Sequence, residues 1–188
     1  LVTEAVSRLD GEDGPVVVTG RSMAFGQPPY WLWTEVLRDM ARAGDKPEGH
    51  LRGLLEGRGA DEDSFRLDLA GGLIRSVLSG EFRGQLEDGP LDSDRMVTGL
   101  VRDALEAEAS RSGGLALVLD DLHWIDSRSA SVLEALLQDG LPPGAGAVLV
   151  SREAVVAAGC TDTIDIHLEG LDDAALEELA EHLLRGRC

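Results

Sequence analysis

The apolar positions of this chain fall into two kinds of run, and the two kinds alternate. Short continuous runs occur at Pro15-Val16-Val17-Val18-Thr19, Leu115-Ala116-Leu117-Val118-Leu119 and Ala147-Val148-Leu149-Val150. Each has strand length, lies between turn residues and lacks a polar face, the pattern of a parallel strand buried on both sides. A shorter run from Ile164 to Leu168 reads as a fourth strand. Between these runs, apolar residues recur at helical spacing. Trp33, Val36, Leu37 and Met40 predict a helix from Tyr30 to Arg42, ended by Gly44. Met96, Leu100 and Leu105 predict one from Asp92 to about Ser110, broken by Gly113-Gly114. Leu133, Leu136 and Leu137 belong to a helix starting at Ser127 or Ser129, and Asp172-Asp173 caps a last one from Ala174 to about Leu184. Leu1, Ala5, Val6 and Leu9 share one helical face. A short helix is expected around Leu51, Leu54 and Leu55, and one weakened by Gly71-Gly72 over Asp63 to Leu78. The turns fall at Gly11 to Gly14, Gly20 to Pro29, Gly80 to Pro90 and Pro142 to Gly146.

Strands alternating with helices predict an α/β domain with a mainly parallel sheet and helices on both faces. Such sheets bind ligands beyond the carboxyl ends of their strands, so the polar residues that follow each strand are the candidates for function. The expected organisation is one domain over residues 1–170 and the start of a following helical region over 171–188. The helix at Leu1 has no preceding cap, which leads to the expectation that the natural protein continues upstream.

Composition narrows the partners. The formal net charge is -18 over 188 residues. An acidic surface repels phosphate backbones, so direct nucleic-acid binding by this segment is not expected. No apolar run approaches bilayer length, so no membrane partner is expected either. The first residues lack the basic flank of a secretory signal, and Cys160 and Cys188 have no metal or redox spacing. The expected compartment is the cytoplasm.

The chemistry concentrates after the second strand, where Asp120-Asp121 is followed by Leu122-His123-Trp124-Ile125-Asp126. Side chains alternate along a strand, so the two acids do not form a clamp unless the chain bends after Asp120. With such a bend both reach one cleft. The first can then hold a hydrated Mg²⁺ and the second can orient an attacking water. An acid pair that merely ends a strand fits the same pattern. His123 with Asp121 and Asp126 can be drawn as a metal site, but a packed turn with Asp126 capping the next helix fits better. Tyr30, Trp31 and Trp33 suit core and helix-entry packing more than a base-stacking platform. Arg21 suits either a phosphate contact or an anchor for its loop.

Leu117 to Asp126, Leu-Val-Leu-Asp-Asp-Leu-His-Trp-Ile-Asp, resembles the Walker B segment of the STAND class of P-loop NTPases. In particular it resembles the ATPase modules of bacterial LuxR-type and SARP-type regulators and adenylate-cyclase-associated ATPases. Gly20 to Gly26 with Pro29 to Trp33, Val148 to Glu153, and His167 to Asp172 resemble further segments of that class, in its order. The resemblance implies a three-layer P-loop NTPase-like domain that lacks the P-loop strand here. It implies ATP and Mg²⁺ as cofactors, Asp120 as metal ligand, and Asp121 in a catalytic or water-positioning role. It also implies Arg152 as a sensor of the γ-phosphate, whose alternative is an ion pair with Glu153. The implied partners are nucleotide and the appended helical and effector domains of the same protein, with oligomerisation possible in the class.

The sequence departs from the class in having no Gly-x-x-x-x-Gly-Lys-Ser/Thr loop. Lys46, the sole lysine, lies between Asp45 and Pro47, outside any such context. The expected function is an ATP-binding, hydrolysing switch of a bacterial signalling or transcription regulator, inactive as an ATPase without that loop. A non-catalytic interaction module is the alternative, and an unrelated metal-dependent phosphatase-like domain a third reading.

Overall fold

The computed structural model describes residues 14–42, 92–153 and 163–185. The helices expected over Leu1–Leu9, around Leu51 and over Asp63–Leu78 lie outside the described residues, as do Lys46, Cys160 and Cys188. In chain order the elements are β1 (Val16–Arg21), α1 (Trp31–Arg42), α2 (Asp92–Ser112), β2 (Leu115–Asp120), a single 3-10 turn (Leu122–Trp124), α3 (Ser127–Gln138), β3 (Ala145–Leu149) and α4 (Asp173–Arg185).

The three strands form one parallel sheet in the order β1-β2-β3. Val16 pairs with Leu115 and Arg21 with Asp120, so β1 and β2 end level. Leu115 pairs with Ala145 and Leu119 with Leu149. Parallel neighbours need long crossovers, and each crossover here contains a helix. The α/β parallel architecture expected from the alternation is present.

One face of the sheet makes the core. Leu115, Leu117 and Leu119 of β2 point to it and are at most 2% exposed. Val36, Leu37 and Met40 of α1, Val101 and Leu105 of α2, and Leu133 and Leu136 of α3 complete the same cluster. Each such side chain contributes about 1.5–3 kcal/mol by leaving water. Gly20 is the closest approach of the sheet to α1. A Cβ there would stand 2.6 Å from Val36 Cγ2 and 3.1 Å from Leu32 Cδ1. Any other residue would require these side chains, or the elements that carry them, to shift. The outer edge of β1 is tied to the same helix, since Thr19 donates to Asp39 Oδ2 from its backbone N at 2.8 Å and from its hydroxyl at 2.9 Å.

Of the three strands β2 is the most buried, with Leu115, Leu117, Val118 and Leu119 buried and Ala116 and Asp120 half-buried. In β3 the positions alternate, with Val148 45% exposed. β3 also begins earlier than its sequence suggests, at Ala145. The turn before it closes at Gly144 (φ 80°), where Ala145 N donates to Pro142 O at 3.0 Å. The fourth strand expected over Ile164–Leu168 is not formed. The segment joins no sheet, and Ile164, Ile166 and Leu168 are 87%, 74% and 60% exposed. Alternating apolar residues supply a strand face, but a strand exists only with a neighbour to bond.

Candidate functional site

The candidate site stands at the carboxyl end of β2, where β1 and β3 end beside it. β2 is paired on both sides and mostly buried, so its register is fixed, and its last residue, Asp120, is half-buried at the sheet edge. The chain then bends sharply. Asp121 has φ 56° and ψ 37°, the left-handed region that few residues other than glycine, asparagine and aspartate enter. The bend is held on both sides. Val150 N donates to Leu119 O at 2.8 Å and Leu122 N to Val150 O at 3.0 Å, so the path passes across the end of β3. Asp121 N donates to Asp120 Oδ1 at 2.8 Å. The bend required for both acids to share one edge is therefore present, and their side chains are 27% and 26% exposed.

Arg21 completes the cluster. Its Nε donates to Asp121 Oδ2 at 2.8 Å, its Nη2 lies 2.7 Å from the same oxygen, and Nε lies 4.0 Å from Asp120 Oδ2. The Asp121 hydrogen bond, then the charges of Asp121 and Asp120, raise the Arg21 pKa above its ordinary value, so the guanidinium stays charged. The sequence suits Arg21 to a phosphate contact or a loop anchor; in the structure it is seated on Asp121. The parallel register places Arg21 opposite Asp120, a pairing that becomes visible only once β1 and β2 are known to be neighbours.

The loop after β1 lies over the turn after β2. Met23 N donates to Gln27 Oε1 at 3.1 Å, Gln27 Nε2 donates to Trp124 O, and the Phe25 and Trp124 rings are 6.2 Å apart. Tyr30 closes this loop in a left-handed conformation, φ 61°. Its backbone N donates to Asp126 Oδ1 at 3.1 Å, and its hydroxyl donates to Asp94. Asp94 also accepts from Arg128 Nη1 at 3.1 Å. Asp126 is the N-cap of α3, its Oδ1 accepting from Ser129 N at 2.9 Å. Burial, the hydrogen bond to Asp94 and the charge of Asp94 raise the Tyr30 pKa. An aromatic residue held at positive φ by Asp126 and Asp94 stores backbone strain where the loop after β1 meets the start of α3.

The other expected residues divide. Tyr30 and Trp33 are 1% exposed and belong to the core, as packing reasoning predicts, with Trp33 Nε1 donating to Ser129 O at 3.0 Å. His123 packs on Trp124, ring centroids 5.0 Å apart, and its ring nitrogens have no hydrogen-bond partner among the described residues. Arg152 follows β3 at the same edge of the sheet and is exposed. Among the described residues no ion pair joins it to Asp120, Asp121 or Glu153. No group of three or more metal-ligating side chains occurs among them either. The two acids alone fit Mg²⁺ better than a protein-caged metal, because Mg²⁺ keeps several waters and takes one or two carboxylates plus phosphate oxygens.

Among the described residues no helix is long and apolar enough to cross a membrane. Comparison with protein-family models, with curated proteins and with solved structures finds no match for this chain.

Proposed function

We propose that this chain is the Walker B half of an ATP-binding, hydrolysing switch domain of a bacterial signalling or transcription regulator. The observation that carries the reading is the left-handed bend at Asp121, which turns the two acids at the end of a buried parallel strand toward one edge. That edge is where ligands of open α/β sheets bind. Asp120 would hold Mg²⁺ and Asp121 would orient the attacking water. Arg152, at the end of the adjacent strand, would report on the γ-phosphate through its permanently charged fork. Mg²⁺ would supply charge neutralisation of the phosphates when bound.

The 188 residues contain no phosphate loop, so on this reading the loop comes from outside them. β3 pairs only with β2 among the described residues, which leaves an edge for a further strand. With it the domain would take the three-layer form of P-loop NTPases. ATP binding would then change the contacts made with appended helical and effector domains, and with copies of the protein where it oligomerises.

The test is a protein in which a Gly-x-x-x-x-Gly-Lys-Ser/Thr loop precedes this chain. Asp120→Ala should weaken Mg²⁺-dependent ATP binding, and Asp121→Ala should spare binding and slow turnover. If neither substitution changes binding or turnover, the assignment fails. A second reading, a non-catalytic interaction module, is favoured by one observation: Ile166, Leu168, Leu171, Leu176 and Leu179 are all at least 44% exposed along the chain into α4. It predicts ATP-independent partner binding that both acid substitutions leave intact.

A further inference from the structure

We propose that Arg21 is a displaceable counter-ion, one that holds Asp121 in the ligand-free chain and must leave it before a divalent cation can engage the acid pair. The proposal deepens the reading of Asp120 as the metal-holding acid with Asp121 beside it, and rests on it.

The guanidinium is itself a cation seated on the pair. Both of its contacting nitrogens converge on a single oxygen, Asp121 Oδ2, at 2.8 and 2.7 Å. Its Nε also lies 4.0 Å from Asp120 Oδ2, so a metal ion held by Asp120 would stand a few ångströms from the guanidinium, and the two positive charges repel. The three partners differ in how firmly they are held. The Arg21 side chain is 70% exposed, against 27% and 26% for the two acids. The acids are fixed by the bend and by the bond from Asp121 N to Asp120 Oδ1. The arginine can swing into solvent without opening the core.

The charge balance gives the exchange a direction. Two carboxylates and one guanidinium leave the cluster with one negative charge, and a divalent ion would make it positive if Arg21 stayed. A planar fork matches phosphate as well as carboxylate, so the released Arg21 would remain useful at an edge where phosphate arrives with the metal.

The test is a Mn²⁺ titration of the whole 188-residue chain, following the free ion by electron paramagnetic resonance. Arg21→Met and Arg21→Gln should each bind Mn²⁺ about tenfold tighter than the parent, the size of effect expected for removing one positive charge beside a divalent ion in water. Arg21→Met combined with Asp121→Asn should return affinity to the parent level or below. Far-UV circular dichroism shows that each variant is folded, and the exposed position makes two independent replacements practical. Unchanged or weaker Mn²⁺ binding in both arginine variants overturns the proposal, as does the absence of Mn²⁺ binding by every variant. No nucleotide enters this measurement. Tightening on loss of Arg21, with no ATP binding once a phosphate loop is supplied, would keep the counter-ion and discard the nucleotide reading. ATP binding with Mn²⁺ affinity indifferent to Arg21 would do the reverse.

Discussion

Arg21 and Asp121 are one hundred residues apart in sequence and 2.7 Å apart in space, joined by an ion pair and an Nε hydrogen bond across the ends of β1 and β2. That contact links the two segments on which the functional reading depends, the loop after the first strand and the acid pair after the second. Its energy is small, because an exposed ion pair is screened by water. Its consequence is positional: one cation faces two acids at the edge of a sheet.

The 188-residue chain by itself should show no ATPase activity. Phosphate binding in the proposed reading depends on the backbone N–H groups and lysine of a Gly-x-x-x-x-Gly-Lys-Ser/Thr loop, which these residues do not include. A phosphate-release assay with purified chain checks this. Mg²⁺-dependent turnover abolished by Asp121→Ala would mean that the acid pair works without such a loop.

Gly20→Ala should destabilise the domain by about 1–3 kcal/mol, the usual cost of forcing a methyl group into a packed core. The added Cβ would meet Val36 Cγ2 at 2.6 Å and Leu119 Cδ2 at 3.2 Å, so these side chains, or the elements that carry them, must shift. Urea unfolding measures it. A neutral result would mean that α1 sits farther from β1 than described.

Asp126→Ala should cost about 1–2 kcal/mol, the range for losing a helix N-cap. Here the same oxygen also accepts from Tyr30 N, which would be left without its partner. Asp126→Asn keeps an oxygen in place and should recover most of the loss. Equal destabilisation by both substitutions would point to the charge of Asp126 rather than to its acceptor geometry.

Tyr30 is the only tyrosine in the chain, so tyrosinate absorbance reports on it alone. Its folded pKa is raised above the ordinary 10.0 by burial and by Asp94. A raised pKa means that the neutral hydroxyl is favoured by folding. The stability it gives is whole below about pH 10 and is lost as pH climbs toward the folded value. The folded chain should therefore show no tyrosinate at the ordinary titration point, and ionisation should accompany unfolding. Normal titration with the circular dichroism unchanged would contradict the placement of Tyr30. Tyr30→Phe should remove the tyrosinate signal and with it this part of the alkaline loss.

Much of the frame is legible in the sequence. The run from Leu115 to Leu119 has no polar face and becomes the central strand, and Asp126 reads as a cap and is one. Helices α1, α3 and α4 fall within a residue or two of their apolar periodicity. The failures have physical causes. Gly146 looks like turn composition, yet the turn closes at Gly144, whose positive φ ends it and lets pairing begin at Ala145. Ile164 to Leu168 has the alternation of a strand, but alternation describes a face and pairing requires a neighbour. Of the site, the bend after Asp120 could be anticipated from the need to bring adjacent acids together. The seat of Arg21 could not, because it follows from the register between two strands rather than from any local spacing.

The most direct test of the acid-pair assignment is a crystal structure of the domain with its phosphate loop, bound to Mn²⁺ and a non-hydrolysable ATP analogue, with the metal located by its anomalous signal. The metal is expected beside the Asp120 carboxylate, directly or through one water, with Asp121 facing the γ-phosphate. A metal bound elsewhere, with Asp120 and Asp121 turned away from the phosphates, would contradict the assignment.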